Sequence, residues 1–240
     1  MADYREIWRP PELSQPEHGY RFTTDAFALA SFALTFPFTN FCDLGTGSGV
    51  IAHDLATRRP TCRGVAVERQ ASLLAHARRN LADLPVHLIE GDLRAHDWSQ
   101  HRFELVVCNP PYYEVHAGGI NRCPERAAAR HTFHGTAVDF AAALAPALRE
   151  DGVFCLVFPD HLIPRLLTRF ERQGWFLRRR LDLCSYADRA PKLACLALGR
   201  GAGSQPRRQR ISVWRAHREF TDEMQFFLRD ASLPPDMVDN

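Results

Sequence analysis

From residue 40 onward the chain alternates short, β-branched apolar runs with segments whose apolar residues recur at helical spacing. This is the pattern of a mostly parallel α/β sheet with helices on both faces. Strands are predicted at residues 41–44, 64–68, 86–90, 103–108 and 153–158, each ending in polar or glycine-containing sequence. Ligands in open α/β sheets bind beyond such carboxyl ends. Leu74, Ala77 and Leu81 fall on one helical face, as do Ala137, Phe140, Ala141, Leu144 and Leu148, so both segments are expected to pack helically against the sheet. Residues 161–174 read as a helix stopped by Gly174, and residues 175–184 and 193–198 as two more strands in an antiparallel hairpin at the sheet's edge. The expected sheet is therefore seven-stranded. Residues 199–206 read as a flexible tip, and Thr221, with Asp222 and Glu223 in the first turn, as the cap of a last helix ending about Arg229.

Composition adds a size and a compartment. With 240 residues, 45% hydrophobic and 24% charged, the chain is long enough to bury a full core, and disordered and fibrous classes drop out. A single domain over residues 1–240 is expected. It comprises an N-terminal segment and helix (1–39), an α/β core (40–200) and a C-terminal extension (201–240). The seven cysteines are scattered without a C-x-x-C pair, which reads as reduced thiols in the cytoplasm. Residues 1–13 lack the basic-then-apolar order of a secretory signal, and the apolar stretch 27–38 is interrupted by Ser31, Thr35 and Pro37. Neither a signal nor a membrane span is expected. The net charge is only +2. However, Lys192 is the single lysine, and arginine is the cation suited to phosphates and stacked bases.

Candidate chemistry collects at the strand ends. Asp43-Leu-Gly45-Thr-Gly47-Ser-Gly49 follows a strand and opens a helix, so its glycines permit a tight turn and close approach of a ligand to the backbone. No Gly-Lys-Ser/Thr follows, so it is not a P-loop. The next strand ends in Glu68, nineteen residues after Gly49, where a carboxylate can accept ribose hydroxyls. Gly91-Asp92-Leu93 closes the strand after that. There an acid can accept from an adenine amino group while the leucine lies on the ring. These elements suit either a dinucleotide or S-adenosyl-L-methionine.

The fourth strand separates the two. It runs into Asn109-Pro110-Pro111-Tyr112-Tyr113, where two prolines end the strand and stiffen the loop. The Asn109 side-chain oxygen and the Pro110 carbonyl can together accept both hydrogens of a planar amino or amide group, and Tyr112 can stack on it. Such an arrangement favours methyl transfer to an exocyclic nitrogen by positioning and electrostatics, with no general base and no metal.

Asp43–Gly49, Glu68, Asp92 and Asn109–Tyr112 resemble motifs I to IV of the class I, Rossmann-like amino-methyltransferases. The opening Gln15-Pro-Glu-His-Gly-Tyr-Arg-Phe-Thr-Thr-Asp25 and the ending Phe220-Thr-Asp-Glu223 before a terminal helix are similar to the bacterial tRNA1(Val) (adenine(37)-N6)-methyltransferase family over nearly the whole chain. The resemblance implies S-adenosyl-L-methionine as cofactor, bound by Thr24, Asp43, Gly45, Gly47, Gly49, Glu68, Arg69, Asp92, Leu93 and Asn109. It implies catalysis at Asn109, Pro110, Pro111 and Tyr112, and tRNA as partner with an adenine as target.

Two basic groups bear on a polynucleotide. The segment 114–134 follows the catalytic loop and carries Arg122, Arg126, Arg130 and His134, expected with Tyr112 and Tyr113 to contact substrate. Arg178, Arg179, Arg180, Arg207, Arg208, Arg210, Arg215 and Arg218 form a second group, read as a phosphate footprint or a solvated face. His131 and His134 lack a carboxylate or thiol at ligand spacing, and no obligate protein partner is evident. Open alternatives are a glutamine N5-methyltransferase acting on release factors and a DNA or rRNA adenine methyltransferase. The first usually carries a helical N-terminal domain, for which the 42 residues before Asp43 leave little room; a DNA enzyme usually carries a target-recognition domain. From outside the enzymes, the alternative is an RNA-binding scaffold with the same fold.

Overall fold

The computed structural model describes residues 8–18, 21–110, 137–201, 205–217 and 219–236. Its sheet is built from β1 (Asn40–Leu44), β2 (Arg63–Glu68), β3 (Val86–Glu90), β4 (Phe103–Cys108), β5 (Leu148–Pro159), β6 (Trp175–Cys184), β7 (Pro191–Arg200) and β8 (Arg207–Ser212), in the order β3-β2-β1-β4-β5-β7-β6-β8. β7 alone runs antiparallel to its neighbours. The order turns around between β1 and β4, which is where α/β sheets open a crevice for a ligand.

Strand periodicity sorts the core. Phe41 of β1 and Leu105 and Val107 of β4 point to one face, Cys42, Leu44, Val106 and Cys108 to the other. The first face is covered by α1 (Thr24–Leu34), α2 (Val50–Arg58) and α6 (Asp222–Asp230), the second by α4 (Ala137–Leu144) and α5 (Ile163–Glu171). α3 (Ala71–Asn80) turns Ala77 into the first layer. α1 is apolar nearly all round and buried from Ala26 to Ala33, as a helix wedged between a sheet and two other helices must be. Its last turn holds no basic residue of its own. Arg59, just beyond α2, donates instead to the carbonyls of Leu34, Phe36 and Phe38 at 3.0–3.2 Å. Arg58 likewise donates to Arg229 O at the end of α6 at 3.0 Å. Both place a cation where a helix leaves carbonyls without partners.

The sheet has eight strands rather than the seven expected, and the β6–β7 hairpin is not its edge: β8 pairs parallel with β6 outside it. The arginines of residues 207–210 obscure a strand whose inward positions are Gln209 and Ile211. Pairing satisfies the outer backbone groups of β6, while the arginine stems extend away. Leu148 opens β5 rather than extending the preceding helix, because the Ala145–Ala147 turn with its proline breaks that helix. The expected tip is also shorter, since Gly199 and Arg200 are strand residues; a Cβ on Gly199 would meet Arg178 at 2.8 Å. Thr221 caps α6 as expected, its hydroxyl accepting from Met224 N at 3.1 Å. Trp214–Ala216 (β9) and Glu219–Phe220 (β10) form a small hairpin before it.

Candidate active site

The register aligns the strand ends. Leu44 lies opposite both Val67 and Cys108, and Glu68 opposite Glu90. The glycine loop, Glu68, Gly91-Asp92 and Asn109 therefore share one edge of the sheet, successive strands about 4.8 Å apart.

The loop after β1 is held by backbone geometry and two acids. Gly45, Gly47 and Gly49 take φ of 67°, 61° and 86°, a region that side chains disfavour. Asp43 is buried beneath them, its Oδ2 accepting from Thr46 Oγ1 at 2.6 Å and Ala52 N at 3.1 Å. It thus supplies the N-terminal acceptor that α2 lacks at its glycine cap. Asp43 Oδ1 is buried with no hydrogen-bond partner among the described residues. Burial pushes its carboxyl up to about 7, against the bonds from Thr46 and Ala52, and the charge of Glu68 adds to the rise.

Glu68 is equally buried. Oε2 accepts from Gly47 N at 2.9 Å, and Oε1 from Arg69 N at 2.9 Å and Gln70 N at 2.8 Å. Desolvation raises its pKa, opposed by these three amides and by Arg69. A carboxylate has about four acceptor positions, so a ribose finds room for one hydroxyl at Oε2 while the glycine loop stays attached. Accepting two requires Gly47 to let go.

Asp92 is more open. Arg94 pairs with it closely and Arg69 lies 3.9 Å away; the hydrogen bond from Arg94 holds its carboxyl down at about 2, ahead of the opposing desolvation. An acid fixed in its ionised form is a steady acceptor for an amino group. Leu93 is buried beside it, its carbonyl taking the Trp98 indole N–H at 2.7 Å.

At the β4 end Pro110 is buried and Asn109 half-buried, Asn109 Nδ2 lying 3.5 Å from Asp25 Oδ2. Thr24 stands in the same first turn of α1, half-buried. Pro111, Tyr112, Tyr113, Arg122, Arg126, Arg130 and His134 lie outside the described residues. The structure thus gathers Thr24, Asp43, the glycine loop, Glu68, Arg69, Asp92, Leu93, Asn109 and Pro110 along one edge. The three positive-φ glycines and the unmet acceptor at Asp43 fit a nucleoside-bearing ligand.

Asn80 was missed in sequence, whereas Asp25 closes the opening motif that begins at Gln15. Asn80, at the end of α3, donates to Ser48 O in the glycine loop at 2.7 Å and to Ser14 O at 2.8 Å, and accepts from Ser14 N at 2.8 Å. It ties the N-terminal segment to the glycine loop, and Ser14 Oγ adds a 2.7 Å bond with His76 Nδ1. No local pattern marks an asparagine at a helix end for this. Asp25 did carry a signal, as an acid inside an otherwise apolar helix.

The second arginine group is engaged within the chain. Arg180 pairs with Asp160 and, at 2.6 Å, with Asp182, which Arg208 also reaches at 3.0 Å. Arg178 donates to Arg200 O and Gly201 O, and Arg179 to Thr35 Oγ1 at 2.9 Å. Arg207 lies 3.8 Å from Asp236, Arg210 donates to two carbonyls, and Arg215 pairs with Glu219. Arg218 lies outside the described residues. These arginines brace the β6–β8 edge. Among the described residues no group of three His, Cys, Asp or Glu is placed to hold a metal ion, and no helix is long and apolar enough to cross a membrane.

A family model for the methyltransferase small domain matches residues 25–169. The chain belongs to this family. It is a methyltransferase of the Rossmann-like class I fold, and its methyl donor is S-adenosyl-L-methionine. Among curated relatives, a tRNA1(Val) (adenine(37)-N6)-methyltransferase of Erwinia tasmaniensis is 30% identical over 223 residues, 85% of this chain and 88% of the relative. One of the same name from Salmonella typhi is 32% identical over 188 residues, 75% of each. Among solved structures, a predicted O-methyltransferase of Agrobacterium tumefaciens superposes with a TM-score of 0.64 at 16% identity, over 85% of this methyltransferase and 95% of that chain. A ribosomal protein L11 methylase of Lactobacillus delbrueckii subsp. bulgaricus gives 0.51 at 18%, over 73% and 78%. At these identities the structural neighbours speak for the fold alone.

Proposed function

We propose that this methyltransferase transfers a methyl group to N6 of an adenine in a tRNA anticodon loop, position 37 of valine tRNA, and that it works in the cytoplasm. The observation that carries the reading is likeness along 85% of the chain to a relative named for that reaction. The site supports it, since Asn109 and Pro110 stand at the end of β4 beside the glycine loop, where an exocyclic amino group meets the methyl donor.

In this reading the glycines of residues 45–49, Glu68, Arg69, Asp92, Leu93 and Thr24 hold S-adenosyl-L-methionine, and Asp43 Oδ1 gains a donor when it binds. The cofactor supplies a methyl group on a sulfonium, with its leaving group built in. Asn109 Oδ1 and the Pro110 carbonyl accept the two N6 hydrogens, while Asp25 steadies the amide end of Asn109. Pro111 stiffens the loop. Tyr112 stacks on the adenine, and Tyr113, Arg122, Arg126, Arg130 and His134 contact the RNA around it. A base beside the anticodon is already single-stranded, which lowers the cost of turning it into the site.

A labelled-methyl assay run in parallel on total tRNA, genomic DNA and release factor tests this. Label is expected in tRNA as N6-methyladenosine, and Asn109→Ala is expected to lose on the order of a hundredfold in turnover while still binding S-adenosyl-L-methionine in calorimetry. Label in release factor or DNA alone would overturn the assignment.

A further inference from the structure

Away from the cofactor site, the open cleft of about 570 Å³ is lined by Tyr186, Ala187, Asp188, Arg189, Trp214, Arg215, Thr221 and Asp222. Its position follows from topology. β6 and β8 run parallel to β4, so the turn after Cys184 and the residues after Ser212 emerge on the edge that carries Asn109. Three to four strand spacings separate them, roughly 14–19 Å.

The cleft is held in shape without its occupant. Arg189 N donates to Tyr186 O at 3.1 Å to close the turn, and Arg210 donates to the carbonyls of Ala187 and Arg189 at 2.8 Å each. Trp214 N donates to Ser185 O at 3.0 Å, and the Trp214 ring stacks on Phe220 at 4.5 Å and 9°. On this fixed frame Tyr186 is the exposed large hydrophobic side chain among the described residues. Around it stand both kinds of polar group, the carboxylates Asp188 and Asp222 and the guanidiniums Arg189 and Arg215. A phosphate would meet the carboxylates as well as the arginines. A nucleobase is the better complement, having a flat face for the aromatic ring and edge donors and acceptors for the acids and arginines.

We propose that this cleft takes an unpaired base of the same RNA that presents the target adenine, a few nucleotides from it. At about 3.4 Å per stacked nucleotide, 14–19 Å corresponds to roughly four to six positions. The inference rests on the tRNA reading above. It gives Arg210 the task of bracing the turn that presents Tyr186, and makes the cleft a determinant of which RNA is accepted, not of the chemistry.

Tyr186→Ala and Tyr186→Phe are compared with the unsubstituted protein, with KM and kcat measured on unmodified tRNA transcript and S-adenosyl-L-methionine binding followed by calorimetry. Tyr186→Ala is expected to raise KM for tRNA about tenfold with kcat and cofactor affinity unchanged, and Tyr186→Phe to retain near-normal KM. If the unsubstituted protein methylates tRNA and Tyr186→Ala keeps its KM within twofold, the cleft proposal falls alone. If the unsubstituted protein leaves tRNA unmethylated, the tRNA reading falls and takes the cleft with it.

Discussion

Two buried aspartates of the same sheet are held in opposite ways. Asp182 of β6 is nearly inaccessible and sits between Arg180 and Arg208 at 2.6 and 3.0 Å. Asp43 of β1 is equally buried, but its partners are a hydroxyl and a backbone amide, and one of its oxygens meets nothing among the described residues. The first is a neutralised ion pair that joins β6 to β8. The second is a carboxylate under stress, which burial pushes up to about 7. Strongly perturbed acids in a crevice mark functional sites, whereas charges paired within a sheet mark a scaffold. The same contrast separates the two halves of the molecule: a β1–β4 crevice organised around backbone amides and an unmet acceptor, and a β6–β8 edge organised around its own arginines.

That contrast can be broken in three places. Asp182→Ala should have the largest effect on stability, because it leaves the partly buried Arg180 with Asp160 alone and releases Arg208; about 2 kcal/mol is expected in urea unfolding, with cofactor affinity within twofold. A large loss of cofactor affinity there would make the two edges one functional unit. At Asp43 the sign of the pH effect is diagnostic. Its folded-state value lies above that of an unfolded aspartate, so the stabilisation it offers is complete below about pH 4 and is lost as pH rises to about 7. Thermal midpoints of the ligand-free protein should fall from pH 5 to pH 8 by several degrees more in the unsubstituted protein than in Asp43→Asn. Identical slopes would mean that Asp43 is ionised throughout. The smallest change is expected from Asn80→Ala. Removing its bonds to Ser48 and Ser14 should weaken S-adenosyl-L-methionine binding about tenfold by calorimetry, with a thermal midpoint close to normal; a collapse of the midpoint with affinity intact would reduce Asn80 to a structural tie.

Much of the first edge was readable because its signals are local. The spacing of Gly45, Gly47 and Gly49 states a backbone requirement, and Asp43 and Glu68 precede or follow it at strand ends. The β6–β8 edge was misread for the complementary reason. Arg207, Arg208 and Arg210 lead into the short apolar run that begins at Ile211, and nothing near them in the chain reveals that Arg208 will meet Asp182, 26 residues away. A run of cationic side chains reads equally as a phosphate footprint or a solvated face, and only the fold shows their partners to be the sheet's own acids and carbonyls. Asn80 and Asp25 show the same limit, since their bonds to Ser14 and Asn109 span 66 and 84 residues.

Sequence alone determined the class of fold and the line of strand ends that carries the candidate site, because hydrophobic period, glycine spacing and strand-terminal acids are properties of a few neighbouring residues. Only the tertiary structure decided that an eighth strand closes the sheet, that the C-terminal arginines are already engaged, that Glu68 and Asn80 hold the glycine loop, and that a cleft opens beside Tyr186. Each of these depends on which distant groups are brought within hydrogen-bonding distance when the strands pair, and no pattern along the chain encodes that.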